Sequence, residues 1–305
     1  MSGEQEGGAT RCGFVAIVGA PNAGKSTFVN AAVGTKVSIV THKVQTTRSR
    51  IVGIRIDGSS QVVFVDTPGI FEPKRRLDHA MVDAAWAGAD EADMVLLLVD
   101  ATRGVDKDLR LILARLEEHK RRVMVALNKI DAVSKAELLP LTSTLSQSPA
   151  IEEIFYISAL KGEGMPELLE LLAQRVRPGP WLYPADQVSD LPMRKLAAEI
   201  VREKIFLRLH QELPYQVAVE TEMWTQIEGE NAVRIDQVIY VARDGHKPIL
   251  LGKGGRTIKD IGMAARLELE EILECKVHLF LHVKVRPGWL DDPARYREMG
   301  LDFPR

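Results

Sequence analysis

From Phe14 to about Arg177 the chain alternates short apolar runs with amphipathic stretches. FVAIVG precedes GKSTFVNAAVG; QVVFVD follows; MVLLLVD precedes a helical pattern near 106–118; then come RRVMVALNK and IFYIS, the latter followed by PELLELLAQRV. Several runs are apolar at every position rather than every second one, the pattern of strands covered on both faces. Their alternation with helical periodicity predicts a doubly wound α/β domain with a mostly parallel sheet. Residues 177–190, RPGPWLYPADQVSD, break the alternation with three prolines, a glycine and two aromatics, and read as a linker.

Beyond the linker the pattern reads helix, strand, strand, helix, strand, an α+β arrangement. Leu196, Ile200, Ile205 and Leu209 form one stripe of a helix that has Asp190 as its expected N-cap, Pro192 in its first turn and Pro214 as its stop. Val233, Ile235, Ile239 and Val241 alternate with mainly polar residues. A Gly-rich turn at 252–255 opens a helix expected to run to about Cys275. In the last strand Val277, Leu279, Leu281, Val283 and Val285 face one way, and His278, Phe280, His282, Lys284 and Arg286 the other. The expected divisions are a loose tail over 1–11, the α/β domain over 12–177, a linker over 178–190 and a second domain over 191–305.

Composition changes this picture little. With 305 residues, 46% hydrophobic and 27% charged, the chain has the make-up of a globular protein of about two domains. Its longest clean apolar run, Met94 to Val99, has strand length and is far below the roughly 18 residues of a membrane helix. The first eleven residues carry two glutamates and no apolar core, unlike a secretory or transit peptide. Cys12 and Cys275 lack metal spacing, so reduced thiols and a cytoplasmic location are expected; weak peripheral membrane attachment stays open. The net charge of -2 does not advertise nucleic-acid binding. Residues 181–305 hold 18 basic and 20 acidic side chains, yet residues 243–266 hold six basic against two acidic, which localises any anionic partner.

Candidate chemistry begins at Gly19-Ala20-Pro21-Asn22-Ala23-Gly24-Lys25-Ser26, with Thr27 next, which fits GxxxxGK(S/T) between a predicted strand and a predicted helix. In that context it is a phosphate loop. Backbone N–H groups and a helix N-terminus face the phosphates, Lys25 supplies a cation for the β and γ oxygens, and Ser26 a ligand for Mg²⁺. Asp66-Thr67-Pro68-Gly69 follows a strand: Asp66 would hold the metal through water, and the Gly69 amide would meet a γ-phosphate. In THKVQTTRSR a threonine is needed to cover that phosphate and complete the metal shell; Thr47 is the choice and Thr46 the alternative. Asn128-Lys129-Ile130-Asp131 ends a strand. A carboxylate at Asp131 accepts two hydrogen bonds from the guanine N1–H and N2 amino group, which adenine cannot offer, so the nucleotide is GTP or GDP. Ser158-Ala159-Leu160 would close the pocket against the guanine O6 with a backbone N–H, although a serine after a strand is more often a helix cap.

Gly252-Lys253-Gly254-Gly255, followed by Arg256, Ile258 and Lys259, forms a GxxG loop ahead of a helix. Bare backbone lets a sugar-phosphate strand approach, Lys253 and Arg256 neutralise it, and the apolar groove beside the helix accepts unstacked bases. An ordinary glycine turn is the competing interpretation. His278 and His282 share a strand face but lie about 13 Å apart at strand rise, too far to share one ion. Trp181, Trp224 and Trp289 could stack on bases, with packing the safer default for each.

Together these segments resemble the Era family of bacterial GTPases over nearly all of residues 12–300: GAPNAGKSTFVN, QTTR, DTPG, NKID, SAL, the YPAD of the linker, ELPY at 212–215, LGKGGRTIKDIG and GWLDD. The resemblance implies a P-loop G domain followed by a type II KH domain, slow GTP hydrolysis, and binding to the 3′ end of small-subunit (16S) ribosomal RNA during 30S assembly. A monomer is expected. Ras-like enzymes carry a water-orienting Gln where this chain has Ile70. In relatives with an Asn at the position of Asn22, a potassium ion beside it takes over charge stabilisation; Asn after Pro in a tight turn is the equal alternative. The rival to a GTP-driven switch is an RNA-binding assembly factor with a merely structural nucleotide domain. The intact set Lys25, Ser26, Asp66 and Asp131 speaks against that rival.

Overall fold

The computed structural model describes residues 9–41, 43, 46–48, 50–209, 213–289 and 292–304. They fall into two compact units, one drawn from Met1–Ser38, Thr47–Asp190 and Met299–Arg305, the other from Ile39–Thr46 and Leu191–Glu298. The segment expected as a linker thus clusters with the first unit. Its Ser189 Oγ donates to the Val52 carbonyl at 2.7 Å, and the Trp181 indole N–H to the Ser59 carbonyl at 2.9 Å.

The first unit runs β1 (Arg11–Val18), α1 (Lys25–Val33), β2 (Ile51–Asp57), β3 (Ser60–Asp66), α2 (Arg76–Glu91), β4 (Met94–Asp100), α3 (Lys107–Glu118), β5 (Val123–Asn128), α4 (Lys135–Ser146), β6 (Ile151–Tyr156), α5 (Met165–Arg175) and β7 (Arg177–Pro178). Its sheet has the order β2-β3-β1-β4-β5-β6, with β7 paired to β1. All neighbours are parallel except β2 on β3 and β7 on β1. Alternate residues of a strand feed opposite layers: Val15 and Ile17 pack with Phe28, Phe64 and Leu172, while Ala16 and Val18 pack with Ile70, Leu97 and Leu127. That two-sided burial is why β3 and β5 are buried at every position.

The apolar pattern does not announce β2, α2 or α4. β2 reads IVGIRID, with a glycine and two charges, because it is the antiparallel edge; a Cβ at Gly53 would sit 2.8 Å from Val33 and 2.9 Å from Val29 of α1, so the gap admits no side chain. α4 contains Pro140, ordinarily a breaker, and is started instead by a capping box in which Ser134 and Glu137 bond each other's backbone.

The second unit runs α6 (Met193–Arg208), β8 (Val217–Gln226), β9 (Ala232–Val241), α7 (His246–Leu251), α8 (Arg256–Leu273), β10 (Lys276–Val285) and α9 (Pro293–Glu298). The sheet order is β10-β9-β8, with β10 parallel and β8 antiparallel to β9. Leu196, Ile200 and Ile205 of α6 and Ile261, Ala265 and Leu269 of α8 cover one sheet face, meeting Val233, Ile235, Ile239 and Val277. Pro192, not Asp190, occupies the N-cap position of α6, without a side-chain capping bond, and α8 ends at Leu273, where Glu274 turns left-handed with φ 50°. The six-residue α7, with Pro248 inside it, is too short to show a helical period. Trp289 is buried and Trp224 packs against this core.

Candidate functional site

β1 ends at Val18 and α1 begins at Lys25, so residues 19–24 form the turn between a central strand and a helix N-terminus. Close packing explains its glycines. A Cβ on Gly19 would lie 2.3 Å from the Leu98 carbonyl oxygen, and one on Gly24 would lie 2.2 Å from Asn128 Nδ2. Gly69 reaches the same turn: its would-be Cβ is 3.0 Å from Pro21, and the next amide, of Ile70, donates to the Gly19 carbonyl at 3.0 Å. Asn22 is exposed and left-handed, with φ 65°. Lys25 Nζ donates to the carbonyls of Gly19 at 3.0 Å and Ala20 at 2.9 Å; burial pushes its pKa down to about 8, partly offset by the negative Asp66.

Asp66, fully buried at the end of β3, gathers hydroxyls. Its Oδ2 accepts from Ser38 Oγ at 2.7 Å, Ser26 Oγ at 2.8 Å and Thr47 Oγ1 at 3.2 Å, and the last two hydroxyls lie 3.0 Å apart. Burial pushes the Asp66 carboxyl upward, against these bonds and Lys25. Thr47, rather than Thr46, is the threonine beside it; Thr46 Oγ1 instead bonds Thr41 Oγ1 and the Lys43 carbonyl, both at 2.7 Å. Among the described residues the buried Asp66 Oδ1 has no hydrogen-bond partner. An oxygen-only donor set with one orphaned carboxylate oxygen suits a hard cation such as Mg²⁺. Ser38 is a member that sequence reading missed, since a single serine in a loop carries no spacing signal.

At the ends of β5 and β6 lies the candidate base site. Buried Asn128 links three segments: its Nδ2 donates to the Ala23 carbonyl at 2.9 Å, and its Oδ1 accepts from the Ala159 amide at 2.9 Å. Lys129 is left-handed, with φ 66°, and its Nζ lies 2.5 Å from Asp100 Oδ2. Asp131 sits in a short 3-10 turn, Ile130–Ala132, with its side chain 15% exposed and Lys161 Nζ 3.7 Å away. A hydrogen bond from Ser158 and the charge of Lys161 hold its carboxyl below the usual range, so it presents two acceptor oxygens at neutral pH. Ser158 is buried, whereas Leu160 is 80% exposed.

In the second unit the GxxG segment joins α7 to α8. Gly252, Gly254 and Gly255 have φ of 73°, 62° and 75°, and a Cβ at Gly252 would collide with Thr257 Oγ1 at 2.1 Å. Lys253, Arg256 and Lys259 are exposed, as are Arg243 and Lys247, while Ile258 turns inward against the core.

A phosphate loop, a buried carboxylate ringed by hydroxyls and a guanine-type base motif on a doubly wound sheet define a P-loop GTPase, here joined to a KH unit. Comparison with known proteins agrees. The profile of 50S ribosome-binding GTPases matches residues 14–129, and that of KH domains residues 212–290. The GTPase Era of Rhizobium meliloti is 60% identical across 97% of this chain and 94% of its own, and that of Mesorhizobium japonicum 59% identical across 97% and 95%. Among solved structures, an Aquifex aeolicus Era variant bound to GDP and aluminium fluoride superposes with a TM-score of 0.89 at 41% identity, covering 95% of this chain and 99% of that one. An Era complex with MgGDPNP and nucleotides 1506–1542 of 16S ribosomal RNA gives 0.89 at 42% identity with the same coverage. The chain belongs to the Era family of GTPases and hydrolyses GTP.

Proposed function

We propose that this GTPase is a magnesium-dependent switch whose KH unit holds single-stranded RNA, the 3′ end of 16S ribosomal RNA, as a cytoplasmic monomer during 30S assembly. The observation that carries the nucleotide half is Asp66, with three hydroxyls on one oxygen and an orphaned second oxygen. Ser26 and Thr47 would hold the Mg²⁺ through their hydroxyls and Asp66 through water; when bound, the metal neutralises developing charge on the β and γ oxygens. Lys25 gives the same oxygens a second cation, and the Gly69 amide meets the γ-phosphate. Water attacks in line to yield GDP and phosphate, with positioning and charge neutralisation in place of a general base.

Ile70 is fully buried in the core, so the residue after DTPG cannot orient that water. Asn22, exposed on the phosphate loop, is the side chain we assign to a potassium ion that stabilises the transferring charge. Turnover in KCl should exceed that in NaCl by about tenfold, less than a preorganised protein donor supplies because an exchangeable ion is held less firmly, and Asn22→Ala should abolish the difference. Equal rates in the two salts would remove potassium from the mechanism and leave Asn22 as a turn residue.

The RNA half is supported by the left-handed glycines and exposed cations of residues 252–259, and by the ribosomal RNA carried by the solved Era relative. Gly254→Asp keeps a backbone conformation that Asp tolerates and adds a negative charge where phosphate should run; nothing lies within 4 Å of its would-be Cβ, so the fold should persist. Binding of a fluorescent 16S 3′-end oligonucleotide should weaken by about a hundredfold, given lost backbone approach and added repulsion. Unaltered affinity would place the RNA elsewhere.

A further inference from the structure

Asp100 stands at the last position of β4, in register with Asn128 on β5, and only 7% of its side chain is exposed. Both carboxylate oxygens are committed. Oδ1 accepts from the Thr102 amide at 3.0 Å and from Thr102 Oγ1 at 2.6 Å; Oδ2 meets Lys129 Nζ at 2.5 Å. The loop that carries Thr102 is itself tied to the phosphate turn, because Arg103 donates to the Pro21 carbonyl at 3.3 Å while pairing with Asp106 at 2.7 Å and Asp108 at 3.3 Å.

Lys129 belongs to the base motif, between the Asn128 that bridges the phosphate loop and the Asp131 that reads the base edge. A lysine carries four side-chain torsions, and freezing them is a cost normally met when ligand binds. Here the far end of the chain is fixed by a carboxylate that is fixed in turn at its other oxygen. We propose that Asp100 is a positioning residue for nucleotide affinity, holding the Lys129 side chain along one wall of the base pocket and acting through it rather than on the nucleotide. The inference rests on reading Asn128–Asp131 as the base site.

The competing role for Asp100 is structural, as the cap of the turn Ala101–Arg103. Asp100→Asn separates the two, since an amide oxygen still accepts from Thr102 while the charge facing Lys129 is lost. In titrations with a fluorescent GDP analogue in magnesium buffer, Asp100→Asn should raise Kd about tenfold, the scale of one charge-assisted hydrogen bond, chiefly through faster release. GTP kcat at saturation should stay within about twofold, and the preference for guanine over xanthine should not move, because Asp131 sets it. Introduced into Lys129→Ala, the same change should alter Kd by less than about twofold, as required of residues acting through one another. Thr102→Val, which keeps the carboxylate and the amide bond to its Oδ1, should raise Kd by about threefold, less than the loss of the charge itself. An Asp100→Asn Kd within twofold of the parent, or an equal effect in both backgrounds, overturns the proposal. Loss of guanine preference on changing Asp131 tests the base site itself, so the two failures are distinguishable.

Discussion

Asp131→Asn should turn the base preference from guanine to xanthine. The carboxylate at 131 is kept ionised by Ser158 and Lys161, so it offers two acceptors to a base edge that presents two donors, the N1–H and the N2 amino group. An amide offers one acceptor and one donor. It still accepts from N1–H, but its NH₂ then faces an amino group in guanine and a carbonyl oxygen in xanthine. Losing charge-assisted bonds and leaving a donor opposed should weaken GTP by about 100- to 10,000-fold. XTP should gain in proportion. Displacement of a fluorescent GDP analogue by GDP and XDP checks both arms; unchanged ranking would mean that Asp131 does not read the base.

Lys25→Ala should lower GTP turnover by about 100- to 1,000-fold, the loss found when one preorganised electrostatic donor is removed from a transferring group. The ammonium is already aimed by the Gly19 and Ala20 carbonyls, so it reaches phosphate without searching for an orientation. The fold should survive, because Phe28, Val29 and Ala32 seat α1 on the sheet, with Phe28 edge-on to Phe64 at 5.8 Å. Single-turnover phosphate release measures the rate, and circular dichroism reports the fold. A rate within threefold of the parent would remove Lys25 from catalysis.

The legible parts of the site are those where backbone geometry leaves little choice of residue. Gly19 and Gly24 have no room for a Cβ, and the motifs at 66–69 and 128–131 follow strands whose continuous apolarity marks them as central. Less was visible where a common side chain acquires its role only in three dimensions. Ser38 joins Asp66 from 28 positions away, and Asp100 joins Lys129 across a strand pair. Periodicity also fails at edges and in short helices, as β2 and α7 show, since one exposed face or a single turn supplies too few positions to establish a period. The placement of Ile39–Thr46 with the second unit has no local signature at all. It depends on buried Glu203, whose Oε1 accepts from the Val40 amide at 2.7 Å, and on Arg202, which donates to the Thr46 carbonyl.

Asn128 and Gly24 occupy one space. The amide group that fastens the base motif to Ala23 lies where any larger residue 24 would put its first carbon. A side chain at residue 24 therefore meets two obstacles, the left-handed φ of 96° and the Asn128 amide, and shortening residue 128 removes only the second while releasing the Ala159 amide on the far side. Two stretches more than a hundred residues apart thus meet at a single contact, and a library that randomises residue 24 will return mostly dead variants whatever stands at 128.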